Sequence, residues 1–417
     1  MVHIIPFKGL RYNQEKISNP ASVVTPPYDI IDEVAQARYY AEHPANIIRL
    51  ELGFIFPQDT SNNNRYTRAA QYLEKWIEDE TLVPEEKPAL YIYQQEFYFQ
   101  GKRLIRTGFV CGLKVEPYAT GNILPHEETL SKPKADRLQL MRATKSNFSS
   151  IFGLFADEEG NVENILLNEI KGKLPDINIV DEANEVHKVW VITDQQIINR
   201  VVDALAEKRV YIADGHHRYE TALNYAAEMK EQGHDGYDYV MTTLVNIYNE
   251  GLVIFPTHRI VGDIPDFKLE AFEKDLSALF EVEFFGNKDS ISSFMQELKI
   301  RGEKNHVFGM YADKGLYLLQ LKDFDQASRL LPADKSNAWK KLDVALLDNL
   351  ILDHLLGIGE NKRRDQEHIR YSHSEYQLIE QVDSKPHQLG FLLNPTRVEE
   401  IIEVAQAGDK MPQKSTY

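Results

Sequence analysis

The densest chemistry in this chain lies in Asp214-Gly215-His216-His217-Arg218. Arg218 can fork onto a phosphate through parallel N–H groups. Asp214 suits a divalent cation or the orientation of a histidine. Either histidine can change charge near neutral pH. A solvated first turn could also be rich in His and Arg, but a plain turn needs none of these groups.

The elements that must position them are legible on either side. Val210-Tyr211-Ile212-Ala213 predicts a short buried strand, and Asp214-Gly215 is a turn dipeptide. From His217 onward, Tyr219, Ala222, Leu223 and Ala226 recur at spacings of three and four, which predicts a helix. A strand, a glycine turn and a helix start leave free N–H groups and the positive end of a dipole facing one point, an arrangement suited to an anion. Thr221 lies one turn into the helix.

A second charged segment, Leu124 to Arg137, carries His126, Glu127, Lys134, Asp136 and Arg137 and runs from Pro125 into a helix predicted over 135–144. A solvated loop would be charged too, but this one is held at both ends. Leu252 to Arg259 predicts a strand ending in His258-Arg259, and Pro26-Pro27 fixes a stiff extended path. Near the end, Lys414-Ser415-Thr416 offers one cation and two hydroxyls to a phosphate. It follows a helix predicted over 396–407 with an apolar face. The tail is therefore expected to return to the first domain rather than fray.

The remaining pattern predicts helices over 33–43, 66–80, 164–171, 194–209, 269–279, 291–300 and 342–356. Strands are predicted over 89–99, 103–113, 151–155, 186–193, 239–246, 282–285, 307–311 and 317–321, with Ile47 to Leu52 alternating like a further one. Gly262-Asp263-Ile264-Pro265 marks a boundary. The expected division is a site-bearing domain over 1–262 and an α+β domain over 263–417.

The chain has 417 residues, 43% of them hydrophobic, enough to bury real cores. Its net charge of −17 argues against non-specific nucleic-acid binding. No apolar run is long enough for a membrane span. The start lacks a signal-peptide pattern, and the single Cys111 sits in an apolar run, so the expectation is a cytoplasmic protein without disulfides.

Five ordered motifs carry a resemblance. They are Pro26-Pro27-Tyr28-Asp29; His126-Glu127 and Thr129 with Asp136-Arg137-Leu138; Ile212 to Leu223; Pro256-Thr257-His258-Arg259; and Met411-Pro412 with Lys414-Ser415-Thr416. Together they resemble a large prokaryotic family whose domain has no assigned function and whose signature is Ala-Asp-Gly-His-His-Arg. The central motif is also similar to the ParB/sulfiredoxin-like superfamily, including its free-serine kinase branch. His216 stands where sulfiredoxins carry a reactive cysteine, and no basic helix-turn-helix region follows the motif. The resemblance implies an α+β fold: a mixed-sheet nucleotide-binding core with an additional C-terminal domain.

Three readings follow. The first is phosphoryl transfer between a nucleotide (ADP or ATP, with Mg²⁺) and a small hydroxyl metabolite such as serine. Gly215, Arg218, Thr221, Lys134, Arg137, His258, Arg259 and Lys414 would bind nucleotide. Glu127 would act as base, with His126, Asp214, His216 and His217 in catalysis and Asp214 on the metal. The second is a nucleotide-binding switch without turnover. The third is a metal-dependent hydrolase with His126, Glu127, His216 and His217 as ligands, disfavoured because adjacent helical histidines diverge. The partners expected are the nucleotide and a phosphorylated metabolite, with room for a homodimer.

Overall fold

The computed structural model describes residues 1–99, 101–125, 131–384, 387–412 and 414–415, with backbone alone at 131–133 and 387. The chain divides into two compact units, Met1–Leu252 and Val253–Tyr417. The break falls before the expected boundary at 262. The reason is pairing: strand His258–Gly262 lies between Ile369–Ser372 and His387–Leu392, so it belongs to the second unit.

The first unit is built on a mixed sheet. Its order, among the described residues, is Ile123–Leu124, Val210–Asp214, Ile151–Phe155, Tyr239–Asn246, Lys102–Lys114, Leu90–Phe99, Val186–Ile192 and Ile177–Val180. Two of these pairings are parallel, Val210–Asp214 with Ile123–Leu124 and Tyr239–Asn246 with Ile151–Phe155. The others are antiparallel, and Ile4–Ile5 adds to Lys102–Lys114 in the same sense.

Val210 and Ile212 enter a core with Ile151, Phe155, Val240 and Leu244. Helix His216–Glu231 adds Tyr219 and Ala222 to that core, which fixes its start at the end of a buried strand. Tyr219 is pinned further: its hydroxyl donates to the Glu116 carbonyl at 2.8 Å, accepts from the Glu116 N–H at 3.0 Å, and its ring stacks on Tyr118.

Ile47 to Leu52 is not a strand. Ile48–Glu51 is a short helix, and the Asn46 side chain just before it accepts from the Ile48 N–H at 3.0 Å. Leu252 to Thr257 is not a strand either, since Pro256 has no N–H to give a ladder and pairing begins only at His258.

Among the described residues, the second unit holds a six-stranded sheet in the order Phe280–Asn287, Gly315–Leu321, Val307–Ala312, His387–Leu392, His258–Gly262, Ile369–Ser372. The apolar stretch near 342–356 divides into helix Asp343–Leu346 and a π-helical run, Leu347–Leu355. Met411 packs into the same core as Ile401 and Val404, so the segment after the last helix is tied to this unit. Among the described residues, no helix is long and apolar enough to cross a membrane.

Candidate functional site

The site begins with a bulge. Strand Val210–Asp214 pairs with Ile151–Phe155 so that Ile212 opposes Gly153 and Asp214 opposes Phe152, leaving Ala213 as an extra residue. A bulge bends the strand and re-aims the side chains that follow. Gly215 comes next at φ 90°, a left-handed conformation that a β-carbon would strain. Helix His216–Glu231 then starts, with its first N–H groups facing out of the turn.

Arg218 folds back over this turn. Its guanidinium donates to the Ser150 carbonyl at 2.6 Å and pairs with the Asp214 carboxylate. Asp214 itself is exposed. His216 is buried on the same helical face as Tyr219. His217 is half-buried, and burial lowers its pKa; Lys134 acts in the same direction, while Glu220, Asp29 and Asp214 oppose it. The imidazole is therefore held toward its neutral form in a field of mixed charge.

Helix Ser131–Thr144 lies along the motif helix. Lys134 Nζ pairs with Glu220 at 2.9 Å, Thr221 Oγ1 donates to the Lys134 carbonyl at 3.4 Å, and Arg142 Nε reaches Glu228 at 3.0 Å. His126 and Glu127, expected as proton-transfer groups, lie outside the described residues.

Arg137 is more committed than its sequence context suggested. It is buried, with Nη1 donating to Glu51 Oε1 at 3.0 Å and Nε and Nη2 donating to Asp136 Oδ2 at 2.9 and 2.6 Å. Its guanidinium also sits 4.0 Å from the centre of the Tyr28 ring. Asp136 takes Tyr66 and Arg65 on its other oxygen. Burial pushes the Asp136 carboxyl up, but Arg137, Tyr66 and Arg65 outweigh it and leave the pKa lowered.

Arg137, Arg218 and Thr221 share one small cleft with Glu51, Ser146 and Ser149, of about 30 Å³. That is room for a water-sized or oxyanion-sized group rather than a nucleoside. Gly215, Lys134 and His217 lie beside it through the contacts above. Tyr28 joins through Arg137, and Arg218 also acts on its hydroxyl. Glu51, Tyr28 and Asp29 carry no site role in the sequence reading, and Asp136 only a place in the charged segment. The Pro-Pro-Tyr-Asp motif was a usable signal for two of them; nothing local marks Glu51, which meets Arg137 only through the fold.

His258, Arg259 and Lys414 belong to the second unit. His258 is wholly buried, its Nδ1 accepting from the Leu393 N–H at 3.2 Å. Arg259 is also buried and pairs with Asp348 at 3.3 Å. Lys414 is exposed. Among the described residues, His216 and His217 join no group of three metal-ligand side chains; the group that does form is Asp181, Glu185 and His187.

Fold and site together define a class: a mixed-sheet α+β protein whose glycine turn, between strand and helix, carries an arginine folded over it. The chain belongs to the family described as Protein of unknown function (DUF1015), whose model matches residues 4–345. No curated protein matches. A conserved hypothetical protein from Pyrococcus furiosus is similar at 11% identity and TM-score 0.33, covering 71% of this chain and 87% of that one. A free serine kinase in complex with AMP gives 11% identity and TM-score 0.34, over 71% and 83%. SbnI with a C-terminal truncation, from Staphylococcus aureus, gives 12% and 0.33, over 73% and 80%. Likeness this faint carries nothing about substrate or mechanism.

Proposed function

We propose that the first unit is a ParB/sulfiredoxin-like core that binds a nucleotide and moves a phosphoryl group to or from a small hydroxyl metabolite of the serine or phosphoserine kind. The observation that carries this reading is the left-handed Gly215 turn at the start of the motif helix with the Arg218 guanidinium folded over it. The turn supplies backbone N–H donors, and the guanidinium supplies charge and a fork for phosphate oxygens.

In this reading Arg218 and the N–H groups of residues 216–218 hold the phosphates, with Thr221 and Lys134 beside them. Arg137 acts through Glu51 and Asp136, fixing the cleft wall rather than reaching the ligand. Glu127 takes the hydroxyl proton. His217, kept toward neutral, is a proton carrier, while buried His216 holds the turn to the core.

Mg²⁺ fits one place. Asp214 is exposed, and only one of its carboxylate oxygens is engaged by Arg218 among the described residues. One carboxylate together with substrate phosphates is a usual magnesium environment, and the ion would neutralise phosphate charge there.

A second reading, nucleotide binding without turnover, is favoured by one observation: Asp214 is paired with Arg218 and Glu220 with Lys134, so two carboxylates beside the turn already hold cations. Phosphorus NMR of the full chain with ATP or ADP, Mg²⁺ and serine or phosphoserine separates the two. New phosphoryl resonances support transfer. Nucleotide binding without them supports the switch. Absence of nucleotide binding overturns both.

A further inference from the structure

The second unit contains a buried arginine that is only partly satisfied. Arg259 is 1% exposed and Thr257 3% exposed. Arg259 Nε donates to Asp348 Oδ1 at 3.3 Å, and Nη1 donates to the Thr257 carbonyl. Among the described residues, its Nη2, with two N–H groups, has no hydrogen-bond partner, and neither has the Thr257 hydroxyl. Buried donors are rarely left so, because each costs its lost hydration.

Charge sharpens the point. Asp348 is the carboxylate of this cluster, and it is shared. Its Oδ2 is 3.8 Å from Arg363 Nε, while its backbone carbonyl accepts from Arg363 Nη1 at 2.9 Å. Among the described residues, two guanidinium groups thus share this one buried carboxylate, leaving about one positive charge in excess. A bound water would satisfy Nη2 but not that charge. Lys414 adds to it from beside His373, whose Nδ1 lies 3.2 Å from the Pro256 carbonyl, one residue before Thr257; burial lowers the His373 pKa, and Lys414 and Arg259 both lower it further. Asp348 also sits in the π-helical run, a rare geometry that recurs at functional sites.

We propose that Thr257, Arg259 and Lys414 form a second oxyanion site, wholly within Val253–Tyr417, that takes a compact phosphate-sized anion. Arg259 Nη2 and the Thr257 hydroxyl donate to it, Asp348 and Arg363 hold the guanidinium in place, and Lys414 supplies charge at the solvent side. The inference is independent of the nucleotide reading, which concerns the first unit.

The test is calorimetric titration of inorganic phosphate into the full-length Arg218→Ala protein, where the glycine-turn site is disabled. Phosphate should still bind. Thr257→Val keeps the side-chain shape, and Lys414→Ala changes an exposed residue, so both should fold. In the Arg218→Ala background each should weaken phosphate binding at least tenfold. The same titration with acetate shows whether the site takes carboxylates as well as phosphoryl groups. No phosphate binding to the Arg218→Ala protein overturns the proposal, as does binding that neither second substitution weakens. Loss of nucleotide binding in the Arg218→Ala protein bears only on the first unit.

Discussion

The guanidinium of Arg218 lies against Gly215 so closely that a β-carbon there would stand 3.1 Å from its Cζ, Nε and Nη2. Glycine is therefore favoured twice, once for its backbone and once because a side chain would push the guanidinium aside. Gly215→Ala should cost about 1–3 kcal/mol in a urea titration. It should also weaken nucleotide binding, because it displaces the arginine. Unchanged affinity would separate Arg218 from the ligand.

Truncating the arginine itself tests the same relationship from the other side. Arg218→Ala should weaken nucleotide binding tenfold or more while costing only about 1 kcal/mol of stability for the lost bond to Ser150. Glu127→Gln should do the converse, abolishing turnover while sparing nucleotide affinity, since it removes a base and keeps the shape.

The Arg137 network should be structural. Arg137→Met leaves Glu51 and Asp136 without their shared cation, and breaking a buried pair of this kind costs about 3–5 kcal/mol in chemical denaturation. The Asp136 carboxyl is held below its ordinary value of 3.8. Its contribution is thus fully present above that pH and is lost as the pH falls through the lower folded value. Arg137→Met should flatten the stability profile in that acid range.

His258 gives a second pH signature, at milder acidity. Burial, then Arg259 and His373, push its pKa from 6.5 down to about 3. Between those values the unfolded chain takes up a proton that the folded chain refuses. Stability of the second unit should therefore fall from about pH 6.5 downward, by at most about 1.4 kcal/mol per pH unit from this group. His258→Asn can still accept from the Leu393 N–H and does not titrate, so its profile should be flatter over that range.

The strand–turn–helix at the candidate site was legible because the change from strand to helix period happens within a few residues of Gly215. The helix beside it was legible only from Ala135, although it starts at Ser131, because its charged first turn shows no apolar period. Ile47 to Leu52 misled because Ile48, Leu50 and Leu52 alternate with charges, and a helix of four residues is too short to show its own period. Val253-Ile254-Phe255 looked like a strand for its β-branched and aromatic content, while the real strand starts after Pro256. Glu51 could not be found at all: its contact with Arg137 spans 86 residues. The orphaned donors of Thr257 and Arg259 were invisible for the same reason, since only packing reveals what a side chain fails to meet.

The position of His387–Leu392 has a consequence for synthesis. It sits in the middle of its sheet, between Val307–Ala312 and His258–Gly262, although it is the last strand made. Until it leaves the ribosome, each of its two neighbours is paired on one side only, and the sheet exists as two unconnected halves with bare edges. The first unit faces no such wait, because its strands are complete once Asn246 has emerged. A nascent chain arrested at about residue 380 would then show a protease-resistant first half followed by a freely cleaved second one.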